Sequence, residues 1–194
     1  MASPYLRRPG GPLWVVGHRG ALALAPENTI AAFEVGLRCG VDLVEFDVQR
    51  TADGVPIVIH DDTLERTTSG TGRVRDRTFD EIRLLDAGIR FDPSFAGERV
   101  PSLDELLGWA GTRTVGLMLE LKQPAPGSGE PSDAELVPAV VTAVRSHRLL
   151  ERTLFISFDH PSLARLLALE PSARSARLTD GPTLVDPLAA VRAV

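Results

Sequence analysis

Four apolar runs in this chain each end in ionisable side chains, and that recurrence constrains the fold more than any other feature. Leu13-Trp14-Val15-Val16-Gly17 leads into His18-Arg19, and Val41-Asp42-Leu43-Val44 into Glu45-Phe46-Asp47. Val55-Pro56-Ile57-Val58-Ile59 leads into His60-Asp61, and Val115-Gly116-Leu117-Met118-Leu119 into Glu120-Leu121-Lys122. Such runs read as buried strands, so their charged tails gather at one end of a sheet. Lys122 is the single lysine among 21 basic residues. Where Arg fills the ordinary cationic positions, a lone Lys is a candidate for a compact ammonium held at a site.

The connections set the fold class. Pro26-Glu27-Asn28-Thr29 opens a helix, with Asn28 or Thr29 as its cap and Gly40 at its end, so the first two strands form a βαβ unit with a parallel crossover. Only Val48 to Gly54 lie between Asp47 and the next run, too few for a helix, and Asp53-Gly54 is a hairpin signal. With a two-residue turn there, Asp47 stands directly opposite His60. Residues 62–100 read as an insertion with one short helix opened by the capping box Thr78-Phe79-Asp80-Glu81. Arg73, Arg75 and Arg77 alternate along it as one side of an extended, solvated segment. A second capping box, Ser102-Leu103-Asp104-Glu105, precedes the Lys122 strand. Pro124 to Pro131 is a Pro/Gly/Ser loop, and Ser132-Asp133-Ala134-Glu135 caps a helix running to His147. A strand at 153–158, a helix capped by Asp159, a strand near 173–179 and a helix from Val185 to Val194 complete the chain.

Strands alternating with helices predict an α/β fold, and chemistry at several strand ends predicts a TIM-type (βα) barrel, whose sites lie at the C-terminal face of the strands. The count falls short, with about five of the eight parallel strands. The expectation is one domain over residues 1–194 with an incomplete barrel, a hairpin after strand 2 and a small insertion.

Composition narrows the functions. A net charge of −5 excludes the basic face of a nucleic-acid binder, and no apolar stretch is long enough for a membrane span. No secretory leader is visible at the N-terminus, so the location expected is the cytoplasm. The one cysteine, Cys39, reads as a small buried apolar residue.

Glu45 and Asp47 project from the same side of their strand. Together with Glu120 they repel one another unless a cation neutralises them, and an all-oxygen set favours Mg²⁺ or Ca²⁺ over Zn²⁺. The alternative is plain ion pairing with Arg19 and Lys122. His18 and His60 are the natural acid/base pair, because imidazole titrates nearest neutrality. Arg19 offers a bidentate fork for phosphate oxygens. A metal, two cations and two histidines suit attack on a phosphate diester. His147 and His160, away from these runs, read as surface residues.

The segments that carry these residues resemble the glycerophosphodiester phosphodiesterase family. The matching pieces are Gly17-His18-Arg19-Gly20, Pro26-Glu27-Asn28-Thr29, Val44-Glu45-Phe46-Asp47-Val48, Thr51-Ala52-Asp53-Gly54 and His60-Asp61. They continue with Arg66-Thr67-Thr68, Pro101-Ser102-Leu103-Asp104-Glu105 and Leu119-Glu120-Leu121-Lys122. The resemblance implies a phospholipase-C-like barrel that hydrolyses small glycerophosphodiesters to glycerol 3-phosphate and an alcohol. It places the divalent metal on Glu45, Asp47 and Glu120, the acid and base at His18 and His60, and the phosphate on Arg19 and Lys122. Two other readings remain: a truncated, inactive fragment or anion-binding protein, and a phospholipase acting on intact lipid. Family members carry three further strand–helix units. The expectation is therefore a truncated reading of a longer gene, able to associate through an open barrel edge.

Overall fold

The structure is a computed structural model that describes residues 11, 13–124 and 132–179. The helix expected from Val185 and, apart from Pro124 itself, the loop expected from Pro124 to Pro131 lie outside the described residues.

Five parallel strands run in sequential order: β1 (Val16–Gly17), β2 (Leu43–Arg50), β4 (Gly116–Leu121), β5 (Thr153–Ser157) and β6 (Arg174–Arg177). A short strand, β3 (Pro56–Val58), lies antiparallel on β2. Helices α1 (Ile30–Arg38), α3 (Leu103–Gly111), α4 (Leu136–Ser146) and α5 (His160–Leu169) alternate with the parallel strands, and α2 (Phe79–Arg83) sits in the insertion. The sheet does not close. At its β1 edge Leu13, Trp14, Val15 and Val16 are all exposed.

Strand periodicity assigns the two faces. Val44, Phe46 and Val48 of β2, Leu117, Leu119 and Leu121 of β4 and Phe155 of β5 are buried in one core with residues from α1, α3, α4 and α5. The alternate positions, including Glu45, Asp47 and Glu120, point to the opposite face. The insertion has its own small core, with Ile57 and Ile59 packed among Leu64, Val74, Ile82, Ala87 and Val100.

Local signals behave as their chemistry requires. Both capping boxes form: the Thr78 and Ser102 hydroxyls accept from the backbone N–H groups of Glu81 and Glu105, and their own N–H groups donate to those glutamates' carboxylates. Asp159 accepts from the Ser162 N–H to start α5. Thr29, not Asn28, caps α1.

Four readings are corrected. The hairpin turn has three residues rather than two. Thr51 and Val55 close it, with the Thr51 N–H donating to the Val55 carbonyl at 3.1 Å, and Gly54 takes φ 84°. The observed pairs are Val48 with Val58, Gln49 with Ile57 and Arg50 with Pro56. Asp47 therefore faces Ile59, whose N–H donates to its carbonyl at 3.0 Å, and His60 lies one residue beyond the pair. A slip of one exchanges the faces of a strand, which is why apolar Ile57 and Ile59 can fill the insertion core. Second, a 3₁₀ turn at Val74–Asp76 interrupts the arginine trio, so it is not one side of an extended segment. Third, the segment Ser132-Asp133-Ala134-Glu135 forms no side-chain cap: α4 starts only at Leu136, with Glu135 as its N-cap. Asp133 instead holds the turn before the helix, with Oδ1 accepting from the Glu135 N–H at 3.0 Å and Oδ2 from Arg50 Nε at 2.7 Å. Fourth, Cys39 is exposed, because α1 ends at Arg38 and leaves it as the C-cap.

Candidate active site

Parallel register brings the acids together. Asp47 pairs with Glu120 across β2 and β4, so their side chains leave the sheet side by side, and Glu45 follows two residues earlier on the same face. All three are buried, and one ligand oxygen from each lies within 4.8 Å of the others. Among the described residues this is the one group of three such side chains. Oxygens bound to a common Mg²⁺ or Ca²⁺ at about 2.0–2.6 Å lie no farther apart than roughly twice that distance, so the trio fits one ion.

The electrostatics agree with that fit. Burial, then repulsion from Asp47, raises the Glu45 carboxyl from 4.5 to about 7. Burial also raises Glu120, against the pull of Lys122. Asp47 Oδ1 is buried with no hydrogen bond, although the Lys122 ammonium lies 3.2 Å away. An under-satisfied carboxylate oxygen close to two other acids fits the donor set of a cation site. The plain ion-pairing alternative describes part of the site: Lys122 Nζ also lies 2.8 Å from Glu120 Oε1, and Arg19 Nε lies 3.5 Å from Asp47 Oδ2. Glu45, however, receives only the Arg19 backbone N–H at 2.8 Å, with His18 Nε2 at 3.9 Å.

The loop after β1 delivers His18 and Arg19. Arg19 has φ 49° and Gly20 has φ 87°, and a Cβ at Gly20 would sit 2.7 Å from the Ala32 carbonyl carbon. The turn thus seats against α1 only with glycine there. His18 is exposed, and burial of its ring, then Arg19, lowers its pKa below 6.5.

His60 follows β3. Gln49 Nε2 donates to the carbonyls of Ile59, His60 and Asp61 at 3.2, 2.8 and 2.9 Å and pins the chain just beyond the ladder. His60 Nδ1 lies 2.7 Å from Asp61 Oδ1. The hydrogen bond from Arg66 holds Asp61 down at about 2. An ionised carboxylate fixes the proton on Nδ1 and leaves Nε2 to exchange protons. With Glu120 and Lys122, His60 lines a cleft of about 470 Å³ whose far wall includes Phe158 and Asp159. The corrected register therefore removes the direct pairing with Asp47 but still brings His60 to the cleft.

Sequence reasoning missed four supporting residues. Asn28, at φ 59°, donates to Asp47 Oδ2 at 2.9 Å. Glu27 accepts from Arg19 Nη1 at 2.8 Å. Asp61 holds His60, and Arg66 joins Asp61 to Glu27. Their segments stood out as motifs, but nothing in spacing shows that residues 27, 61 and 66 meet.

Comparison with known proteins decides the family. A model of the Glycerophosphoryl diester phosphodiesterase family matches residues 18–193. The chain belongs to that family. It is 41% identical over 157 residues to a glycerophosphodiester phosphodiesterase of Caldanaerobacter subterraneus subsp. tengcongensis, covering 81% of this chain and 63% of that protein. Among solved structures, a glycerophosphodiester phosphodiesterase from Agrobacterium tumefaciens aligns with TM-score 0.74 at 40% identity, covering 84% of this chain and 65% of that one. An Oleispira antarctica phosphodiesterase, in complex with the product sn-glycerol-3-phosphate, aligns with TM-score 0.75 at 34% identity over 88% of this chain and 68% of its own. The open sheet is thus a sector of a TIM-type barrel, and the chain spans about two thirds of the length of these relatives. Among the described residues, no helix is long and apolar enough to cross a membrane.

Proposed function

We propose that the chain hydrolyses glycerophosphodiesters to glycerol 3-phosphate and an alcohol with a divalent cation, Mg²⁺ or Ca²⁺, held by Glu45, Asp47 and Glu120. The observation that carries this reading is the buried trio itself, three carboxylates whose oxygens lie within 4.8 Å beside two histidines and two cations. The product bound to the Oleispira relative supports the same substrate class. A bound cation would supply charge neutralisation at the phosphoryl oxygens.

The residues of the chain divide the remaining work. Arg19 and Lys122 flank the acids and bind the phosphate oxygens. His18 accepts a proton from the attacking water, whose oxygen bonds to phosphorus as the bond from phosphorus to the alcohol oxygen breaks. His60 acts in its imidazolium form: Asp61 keeps the Nδ1 proton, and the Nε2 proton goes to the departing alkoxide, leaving the neutral ring. The cleft bounded by His60, Glu120, Lys122 and Phe158 receives the substrate.

The test is release of glycerol 3-phosphate from glycerophosphocholine with Mg²⁺ or Ca²⁺, against a chelated control. Cation-dependent release that Glu45→Ala and His60→Ala abolish supports the reading. Glycerol 3-phosphate binding without turnover in either cation favours an anion-binding protein.

A further inference from the structure

Arg66 stands outside the cleft and half exposed, yet its guanidinium spends every donor nitrogen on two carboxylates. Nε and Nη2 reach Asp61 at 2.5 and 2.8 Å, and Nη1 and Nη2 reach Glu27 at 2.8 Å each. Each of those carboxylates has one further partner in the site. Glu27 Oε1 takes Arg19 Nη1 at 2.8 Å, and Asp61 Oδ1 faces His60 Nδ1 at 2.7 Å. The continuous chain is Arg19, Glu27, Arg66, Asp61, His60. It links the loop after β1 to the turn after β3, two segments that the sheet does not pair with each other.

We propose that Arg66 is a positioning residue that sets the phosphate-binding Arg19 and the proton-transferring His60 relative to each other, so that neither is correctly placed without it. The inference rests on the roles proposed above for Arg19 and His60. Four carboxylate oxygens cannot be gripped in this way by an ammonium. Lysine offers a point charge rather than a planar fork, so Arg66→Lys keeps the charge and loses the geometry. Burial alone pushes the Glu27 carboxyl up, but the bonds from Arg66 and Arg19 outweigh it and hold the group ionised, as does Arg66 for Asp61. Without Arg66, Glu27 is free to draw Arg19 off the phosphate position, and Asp61 loses the partner that aims it at the His60 ring.

The test reads the two ends of the chain separately in Arg66→Ala and Arg66→Lys. One end is the affinity for glycerol 3-phosphate by calorimetry. The other is the His60 Nδ1 proton and nitrogen resonance in protein labelled at histidine. Thermal unfolding checks the fold. Both ends are expected to change in both variants, with binding weakened roughly 10–100-fold, the range outer partners of site residues are worth. Added guanidinium, which can reach this half-exposed position, restores both in Arg66→Ala at concentrations that leave wild type unchanged. Unchanged binding and an unchanged His60 signal overturn the proposal, as does a change at one end alone. If Arg66→Ala fails to fold, Arg66→Lys carries the test, and failure of both to fold assigns Arg66 to stability and overturns the proposal. Wild-type binding without turnover sinks the functional reading and leaves this test intact. Wild-type turnover that both Arg66 variants match does the reverse.

Discussion

Replacing Glu45 with Gln should stabilise the metal-free protein at alkaline pH while destroying its response to divalent cations. Glu45 has its carboxyl raised from 4.5 in the unfolded chain to about 7 in the fold, by burial first and Asp47 second. At about 1.4 kcal/mol per tenfold, that displacement corresponds to about 3 kcal/mol. A raised acid favours folding fully below 4.5, and that contribution disappears as pH rises through about 7. Chelated wild type is therefore expected to lose about 3 kcal/mol between about pH 5 and pH 8 from this group, or roughly 6–12 °C in Tm for a chain of this size. Glu120, raised by burial, adds in the same direction. His18, whose pKa is lowered, acts oppositely, so the informative quantity is the difference between wild type and Glu45→Gln. The assay is thermal unfolding of both proteins in chelator and in Mg²⁺ or Ca²⁺ across this range. Wild type should recover its stability at high pH when the cation binds, and Glu45→Gln should lose about 3 kcal/mol less than wild type over this range and show no recovery. Parallel pH curves for the two proteins in chelator would refute the reasoning.

Other consequences follow from the same geometry. His60→Ala should lower kcat by roughly 10²–10⁴-fold, the usual worth of a positioned acid or base, with glycerol 3-phosphate binding nearly intact by calorimetry. Gly20→Ala forces a Cβ against the Ala32 backbone at φ 87° and should cost about 1–3 kcal/mol in denaturant unfolding. Asn28→Ala strips Asp47 of its buried hydrogen bond and should cost about 1–3 kcal/mol, with weaker cation binding by titration. Asp61, held at about 2 by the Arg66 hydrogen bond, contributes stability present above 3.8 and lost as pH falls through 2. Acid unfolding of Asp61→Asn should accordingly lack that part of the wild-type pH dependence.

What the sequence revealed was whatever is fixed by short-range chemistry. The strand ends at Glu45, Asp47, His60, Glu120 and Lys122 were legible because a buried apolar run can end in charge only where a site or water receives it, whereas the run before His18 was read as buried and is exposed at the sheet edge. The capping boxes at Thr78 and Ser102 were legible because both partners lie within one turn. The hairpin register was not, since Asp53-Gly54 serves equally a two-residue turn and the three-residue loop observed, and the buried needs of Ile57 and Ile59 decide between them. The ion pair of Asp133 with Arg50 was not legible for a related reason: its partner lies far away in sequence. Glu27, Asp61 and Arg66 stayed hidden because loops from separate segments carry them, and only the folded sheet brings those loops into contact. The pairing of Asp47 with Glu120 is likewise a property of parallel register, which neither strand specifies alone.

The central claim is that Glu45, Asp47 and Glu120 hold one cation beside His18, Arg19, His60 and Lys122. Anomalous diffraction from a crystal of the protein grown with Mn²⁺, an oxygen-seeking stand-in for Mg²⁺ or Ca²⁺, tests it most directly. The account predicts a single strong peak within about 2.0–2.6 Å of an oxygen from each of the three carboxylates, with Lys122 displaced from Asp47. A fully loaded crystal with no peak there, and Lys122 still bridging Asp47 and Glu120, would contradict it.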